Sequence, residues 1–428
     1  MSTALPGLDA RTARRRFLVL TGLRWLPTGL LIPVTILLAL SRGLSLTEIG
    51  LVFSVQGLVV LALELPTGGL SDALGRRPVL ILASLVALAS LALLYVADSV
   101  PMFVASLALQ GVYRALDSGP LEAWYVDAIL AADPEAEIES GLSAGSAVLS
   151  MALAGGALAS GGLVALDPFD SVDPLALPLL VALGLGVLYF GAVLVLLHEV
   201  RATRGVRAVL ASVGAVPRTV RDGLRMLRAS RILMALVAVE LFWGFSMVTF
   251  ESLLPVRLSQ LVGDTDRAAA LMGPVSSAGW FASAVGSAVI VMASRRIGVA
   301  PAAAALRILQ GLTIVAMGVV AGPVGLVVAY LSCYATHGAS NPMHMTLLHR
   351  QVEGPFRNTV ISMNSMISQP AGAAGAITLS ALADGTSVAT AMIAGGVVCA
   401  LAAPLYLPAW RHEKARRTAP APVDTSVS

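Results

Sequence analysis

The chain has 428 residues, of which 57% are hydrophobic and 12% charged, with a formal net charge of +3. A soluble globular domain carries about 25% charged residues, so a soluble fold is excluded, and so small a net charge gives nucleic acid no electrostatic footprint. The two cysteines, Cys333 and Cys399, lie inside apolar runs and supply neither a disulfide framework nor a zinc spacing.

Residues 1–16 form an arginine-bearing arm, "RTARRRF" at its end, and an apolar stretch follows to about Ala39. A signal-peptide core is only about 7–15 residues long, so this stretch is read as a retained first span. From there the apolar runs predict twelve membrane-spanning segments: 17–41, 46–70, 78–97, 101–130, 141–165, 174–197, 232–261, 268–294, 300–321, 323–349, 357–382 and 386–409. Each meets the roughly 20-residue requirement of a helix crossing the bilayer. Their continuity excludes barrel strands, which alternate over about ten residues. The expected fold is therefore an all-α integral membrane protein with twelve transmembrane helices in two six-helix bundles.

Taken in chain order, span one carries Arg24 and Trp25, and span two carries Glu64. Between spans two and three lies "GGLSDALGRRPVL", a turn rich in glycine and charge. Span four holds Arg114, Asp117, Glu122, Trp124 and Asp127. The first bundle, 17–197, ends at a basic cytoplasmic linker, 198–231, in which Arg218, Arg221, Arg225 and Arg228 fall at helical spacing. That pattern fits an amphipathic helix on the inner membrane surface, or a solvated basic linker.

The second bundle spans 232–410. On span seven, Glu240, Trp243, Met247 and Glu251 share one helical face, and Arg257 follows. Arg307 stands near the inner end of span nine, where a long side chain snorkels to the interface. Cys333, His337, Asn341 and His344 share a face of span ten, with Pro342 as an expected kink, and span eleven adds Asn364 and Gln369. The Cys–His–His stripe raises a soft-metal site, but no complete ligand set is present. Polar cavity lining is the reading, with no metal and no cofactor. The tail, 411–428, reads as disordered.

Most of the 28 lysines and arginines fall on one side of the spans. The positive-inside rule then puts both termini in the cytoplasm of a multi-pass plasma (inner) membrane protein. Ionisable groups within lipid cost at least about 2.5–3.5 kcal/mol each and so face a bundle interior or aqueous cavity. Here they concentrate on spans one, four, seven and ten, the first helices of four three-helix units. Such repeats around a shared polar space mark transporters. No G-x-x-x-x-G-K-[ST] loop is present for an ATPase, and no enzymatic constellation emerges.

With these features the sequence resembles the major facilitator superfamily over essentially its whole length. The turn after span two is similar to that family's motif A, with Gly69, Asp72, Gly75, Arg76 and Arg77 matching and Ala73 replacing a basic residue. The resemblance implies that Asp72 meets the start of span eleven, and that Arg76 or Arg77 pairs with Asp127, as a gate of the outward-open state. "MASRRIGV" after span eight resembles a degenerate second copy, with Ser294 where an aspartate is expected. Gln110, Gly111 and Arg114 resemble motif B, and the glycine-rich span five resembles motif C of proton-coupled exporters without its Gly-Pro core.

The expected function is secondary transport of a small-molecule substrate across the lipid bilayer, as proton-coupled efflux. Glu64, Arg114, Asp117, Glu122, Glu240 and Glu251 are the coupling and cavity candidates. Arg24, Trp25, Trp124, Trp243, His337, Asn341 and His344 are the substrate-cavity candidates. Proton-coupled uptake of a small metabolite, and a non-transporting receptor or assembly protein of the same fold, are the alternatives.

Overall fold

The computed structural model describes residues 9–133, 135–198, 214, 221, 225–351 and 356–418, and among them it is helical with no strand. Span one is α1 (Ala10–Leu31) and α2 (Thr35–Ser41), span two α3 (Leu46–Leu74), and span three α4 (Arg76–Val96). Span four is α5 (Val100–Asp117) and α6 (Pro120–Ala132), span five α7 (Glu139–Leu166), and span six α8 (Leu177–Leu196). Span seven is α9 (Arg231–Glu251) and α10 (Leu253–Val262), span eight α11 (Thr265–Ile297), and span nine α12 (Val299–Val319). Span ten is α13 (Pro323–His349) and span eleven α14 (Phe356–Gly385). Span twelve is α15 (Val388–Ala400), a short 3-10 turn (Ala403–Tyr406) and α16 (Leu407–Thr418). Among the described residues, nine of these units are long and apolar enough to cross a membrane by composition alone. Spans four, ten and eleven, which carry much of the polar complement, fall outside that criterion.

Spans one, four and seven are each broken, and the sequence says why. Pro33 lies in the gap between α1 and α2. In span four the helix stops at Asp117, Gly119 takes a left-handed conformation with φ 94°, and Pro120 opens the next helix. Pro255 has no N–H to offer the carbonyl of Glu251, and the chain breaks at Ser252. Pro342, by contrast, lies inside an unbroken helix.

The two halves repeat one backbone device. Gly75 (φ 91°, ψ 156°) joins spans two and three, and Gly298 (φ 98°, ψ 160°) joins spans eight and nine. Only glycine adopts this region without strain. Each donates its N–H back to a serine carbonyl, Ser71 at 3.0 Å and Ser294 at 2.9 Å. The second copy thus aligns on its glycine, which corrects the sequence register. Ser294 corresponds to Ser71, and Arg295 occupies the place of Asp72.

Spans two with eleven, and five with eight, pack along the seam between the bundles. On the face away from the termini this seam is closed. Gly50 lies against the Ala376 carbonyl and Ser380, and Gly161 against Gly273. The Ser277 hydroxyl donates to the Ala154 carbonyl at 2.6 Å. In lipid, small residues that admit close backbone approach are what hold helices together. One apolar core runs through both bundles in this half, from Leu30 and Leu46 to Phe250, Leu326 and Leu379. Toward the face that bears the termini it divides into separate cores, one around Phe17 and Tyr125, another around Leu236 and Tyr406. Among the described residues, therefore, the two bundles share an apolar core only on the face away from the termini.

The tail departs from expectation. It is helical through Thr418, because the Glu413 carboxylate accepts from the backbone N–H groups of Val299 (3.3 Å) and Ala300 (3.0 Å) at the start of span nine. Residues 419–428 lie outside the described residues. Most of the expected linker helix, Arg218 included, also lies outside them, while residues 225–229 are helical.

Candidate functional site

In the N-terminal bundle the break in span four makes the site. Asp117 ends one helix and Glu122 lies in the first turn of the next, so both carboxylates reach Arg24 on span one. Arg24 Nε donates to the Asp117 carboxylate and Nη1 to Glu122 Oε1 at 3.1 Å. Nη2 donates at 2.9 Å to the Asp117 backbone carbonyl, which the helix break leaves without a helical partner. The side chains of Arg24 and Asp117 are buried, whereas that of Glu122 is 42% exposed. One guanidinium thus joins a carboxylate on a buried side chain to one on a partly exposed side chain, whose Oε2 is itself buried and without a hydrogen-bond partner among the described residues. A buried ion pair is tolerated only when its remaining hydrogen-bonding capacity is also met, and Arg24 meets most of its own.

This arrangement reassigns two residues. The sequence placed Arg114 among the coupling and cavity candidates and Arg24 among the substrate-cavity candidates. In the structure the cation paired with Asp117 is Arg24. Arg114 instead is exposed, with Glu64 its acidic neighbour. Trp25 packs beside Arg24, whose Cζ lies 5.2 Å from the ring centre. Trp124 leaves the cavity set: it is 3% exposed in the apolar core, and its indole donates to the His198 carbonyl at 3.2 Å.

The C-terminal bundle holds a second buried polar cluster. His344 Nε2 lies 3.2 Å from Glu240 Oε1 and 3.1 Å from Asn364 Oδ1, and Nδ1 lies 3.0 Å from the Tyr406 hydroxyl. Two acceptors at Nε2 fix the proton there, so Nδ1 accepts from Tyr406. Arg307 does not snorkel. It is 3% exposed and donates to Gln310 at 2.8 Å, with Glu240 and Tyr406 nearby. Gln310 and Tyr406 were not singled out from sequence. The pair Arg307 and Gln310 at i, i+3 on an apolar span was the available signal.

The span seven stripe does not act as one unit. Glu251, at the break, accepts from the Tyr334 hydroxyl at 2.5 Å. Trp243 stacks on His337 with centroids 5.6 Å apart. Asn341 is exposed on span ten, while Cys333 is fully buried and bears on no ligand set. Among the described residues no group of three His, Cys, Asp or Glu side chains is arranged to hold a metal.

At the turn after span two, Arg76 forms an ion pair with Asp127 at the end of span four, and Arg77 donates to the Leu194 carbonyl at 2.8 Å. Gly69 and Asp72 are on the last turns of span two. The expected meeting of Asp72 with span eleven lies outside the described residues.

A family model described as Major Facilitator Superfamily matches residues 17–376. Solved structures of similar shape include the nucleoside transporter NupG, with TM-score 0.74, 12% identity, and coverage of 93% of this chain and 99% of that one. A bacterial homologue of the human lysosomal transporter Spinster, in an inward-facing and occupied conformation, gives TM-score 0.73 at 13% identity over 95% of this chain and 98% of that one. A POT family transporter in complex with 5-aminolevulinic acid gives 0.69 at 15% identity, covering 93% and 96%. No curated protein matches the chain.

Proposed function

The chain belongs to the Major Facilitator Superfamily, and we propose that it is a secondary active transporter that exports a small solute by alternating access, coupled to protons. The observation that carries this reading is the sharing of Arg24 between buried Asp117 and exposed Glu122. A proton taken up by Glu122 from the aqueous side weakens its hold on Arg24. A proton on Asp117 loosens the pair that ties span one to span four. Charge thereby controls the packing of two cavity helices, as coupling requires. Glu64 beside Arg114, and Glu240 beside His344, are further proton sites in this scheme.

Substrate enters the cleft between the bundles, where Trp25, Trp243, His337, Asn341 and Glu251 supply stacking and polar contacts. Glycines at 69 and 75, with Asp72, Arg76, Arg77 and Asp127, belong to the gate on the terminus-bearing side; the Arg76–Asp127 pair lies within the N-terminal bundle and is made in this form too, so closing that side falls to Asp72 reaching the other bundle. With both termini cytoplasmic, the orientation that the arginine distribution favours, the present form is open to the cytoplasm. Export is the direction we assign, on the likeness of span five to the glycine-rich helix of proton-coupled exporters. The substrates named for the structural neighbours belong to proteins only 12–15% identical, and none carries over.

The test is a toxicity and accumulation screen in a bacterium lacking its main exporters. It compares wild type, Asp117→Asn and Glu122→Gln across a chemically broad panel, with and without a protonophore. Protection that needs both carboxylates and the proton gradient is expected. Protection indifferent to both, or none at all with normal membrane expression, overturns the reading.

A further inference from the structure

Beside the Arg24–Asp117 pair the N-terminal bundle holds a cavity of about 40 Å³ between spans one, three, four and six. Its polar wall includes Arg24, Ser84, Ser90, Gln110, Tyr113 and Tyr189, and Ala87 is among the apolar residues that line the rest. One water needs about 10–15 Å³ measured this way. The space suits roughly three waters by that principle and is too small for an organic solute.

Its chemistry points the same way. Tyr189 is 5% exposed, and its hydroxyl has no hydrogen-bond partner among the described residues. Asp117 Oδ1 is buried and equally without one. Tyr113 and Tyr189 both stand beside the Asp117 carboxylate. Ser84 gives its proton to the Leu80 carbonyl and Ser90 gives its own to the Ser106 carbonyl, so either hydroxyl can serve a water only as an acceptor. A dry cavity would strand several buried polar groups, whereas a water cluster has the two to four partners it needs. Glu122 is absent from this wall, so Asp117 has two approaches, one through Arg24 and Glu122 and one through the cavity.

We propose that this cavity is a water-binding site through which Asp117 exchanges its proton. A protonated water gives its proton to a tyrosine hydroxyl, which passes its own to Asp117 Oδ1. One O–H bond forms on the carboxyl as one breaks on water, and the tyrosine is unchanged. Arg24 keeps Glu122 and the Asp117 backbone carbonyl as partners meanwhile. The relay rests on the reading of Asp117 as a coupling carboxylate; the water site does not.

X-ray hydroxyl-radical footprinting of the full-length protein in nanodiscs tests the water site, because radicals form from bound water at the point of labelling. Tyr113 and Tyr189 should oxidise faster than Tyr125 and Tyr406, which are each 1% exposed and lie outside the cavity. Ala87→Leu, which fills the cavity, should abolish the difference. Equal rates in wild type overturn the site. Hydrogen–deuterium exchange at the Asp117 carboxyl, followed by its infrared band and assigned with Asp117→Asn, tests the relay. Exchange should slow about tenfold, a ~1.4 kcal/mol barrier, in Ala87→Leu and in the shape-conserving Tyr189→Phe. Unchanged exchange in both overturns the relay. A carboxyl that never protonates refutes the coupling reading, while footprinting still decides the water site.

Discussion

Asp384, at the end of span eleven away from the termini, caps Thr47, at the start of span two in the opposite bundle. Its carboxylate accepts from the Thr47 N–H at 2.7 Å and the Thr47 hydroxyl at 2.6 Å, with the Leu46 N–H at 3.2 Å. The two N–H bonds satisfy donors that a helix start leaves open, and the negative charge meets the positive end of the helix dipole. The contact exists only while the face away from the termini is closed.

Asp384→Ala should therefore shift the molecule toward opening on that face. Spin labels at Ser99→Cys and Gly322→Cys, on the two bundles, should show a longer distance distribution than the same pair in otherwise wild-type protein. An unchanged distribution would show that apolar packing alone keeps the seam shut.

Removing Arg24 should be worse than removing the whole pair. Arg24→Met leaves Asp117 buried and uncompensated, a loss of about 3–5 kcal/mol for a pair broken from one side. Arg24→Met with Asp117→Asn should recover much of it. Thermal unfolding in detergent reads the order: single substitution least stable, double substitution between it and wild type.

A side chain on the crossing of spans five and eight should block closure. A Cβ at Gly161 would lie 2.5 Å from the Ala270 carbonyl oxygen and 2.9 Å from Gly273 Cα. Gly161→Leu should hold the seam open and stop transport while leaving membrane insertion intact. Labelling of cysteines placed along the outer seam should rise, and a variant that labels and transports normally would contradict the packing.

Glu413→Ala should cost about 1 kcal/mol, the usual worth of a helix cap, because the start of span nine loses its acceptor. Proteolysis should then reach the tail helix sooner. A tail equally protected in the variant would mean the cap does not anchor it.

The twelve spans were legible because lipid permits few backbone solutions and demands long apolar runs. The resemblance named Arg76 or Arg77 as the partner of Asp127, and Arg76 is the one that pairs with it. Partner choice inside the bundles was not legible. Arg114 and Asp117 are adjacent turns of one helix, yet Arg24 on another span takes both carboxylates. That choice is set by the rotation of span four across Gly119, which sequence periodicity does not encode. Arg307 was misread for a related reason. Distance from a helix end suggests snorkelling, but burial depends on which neighbours surround that face, here Gln310, Tyr406 and Glu240.

Gly161 and Gly273 put bare backbone against bare backbone where the bundles cross. Helices usually grip through side-chain ridges seated in grooves, and changing their angle means lifting one set of teeth out of another. This crossing has no teeth. The Ser277 hydroxyl on the Ala154 carbonyl is a tether beside it. The contact is shaped as a bearing, on which one half of the molecule can roll against the other without unpacking either.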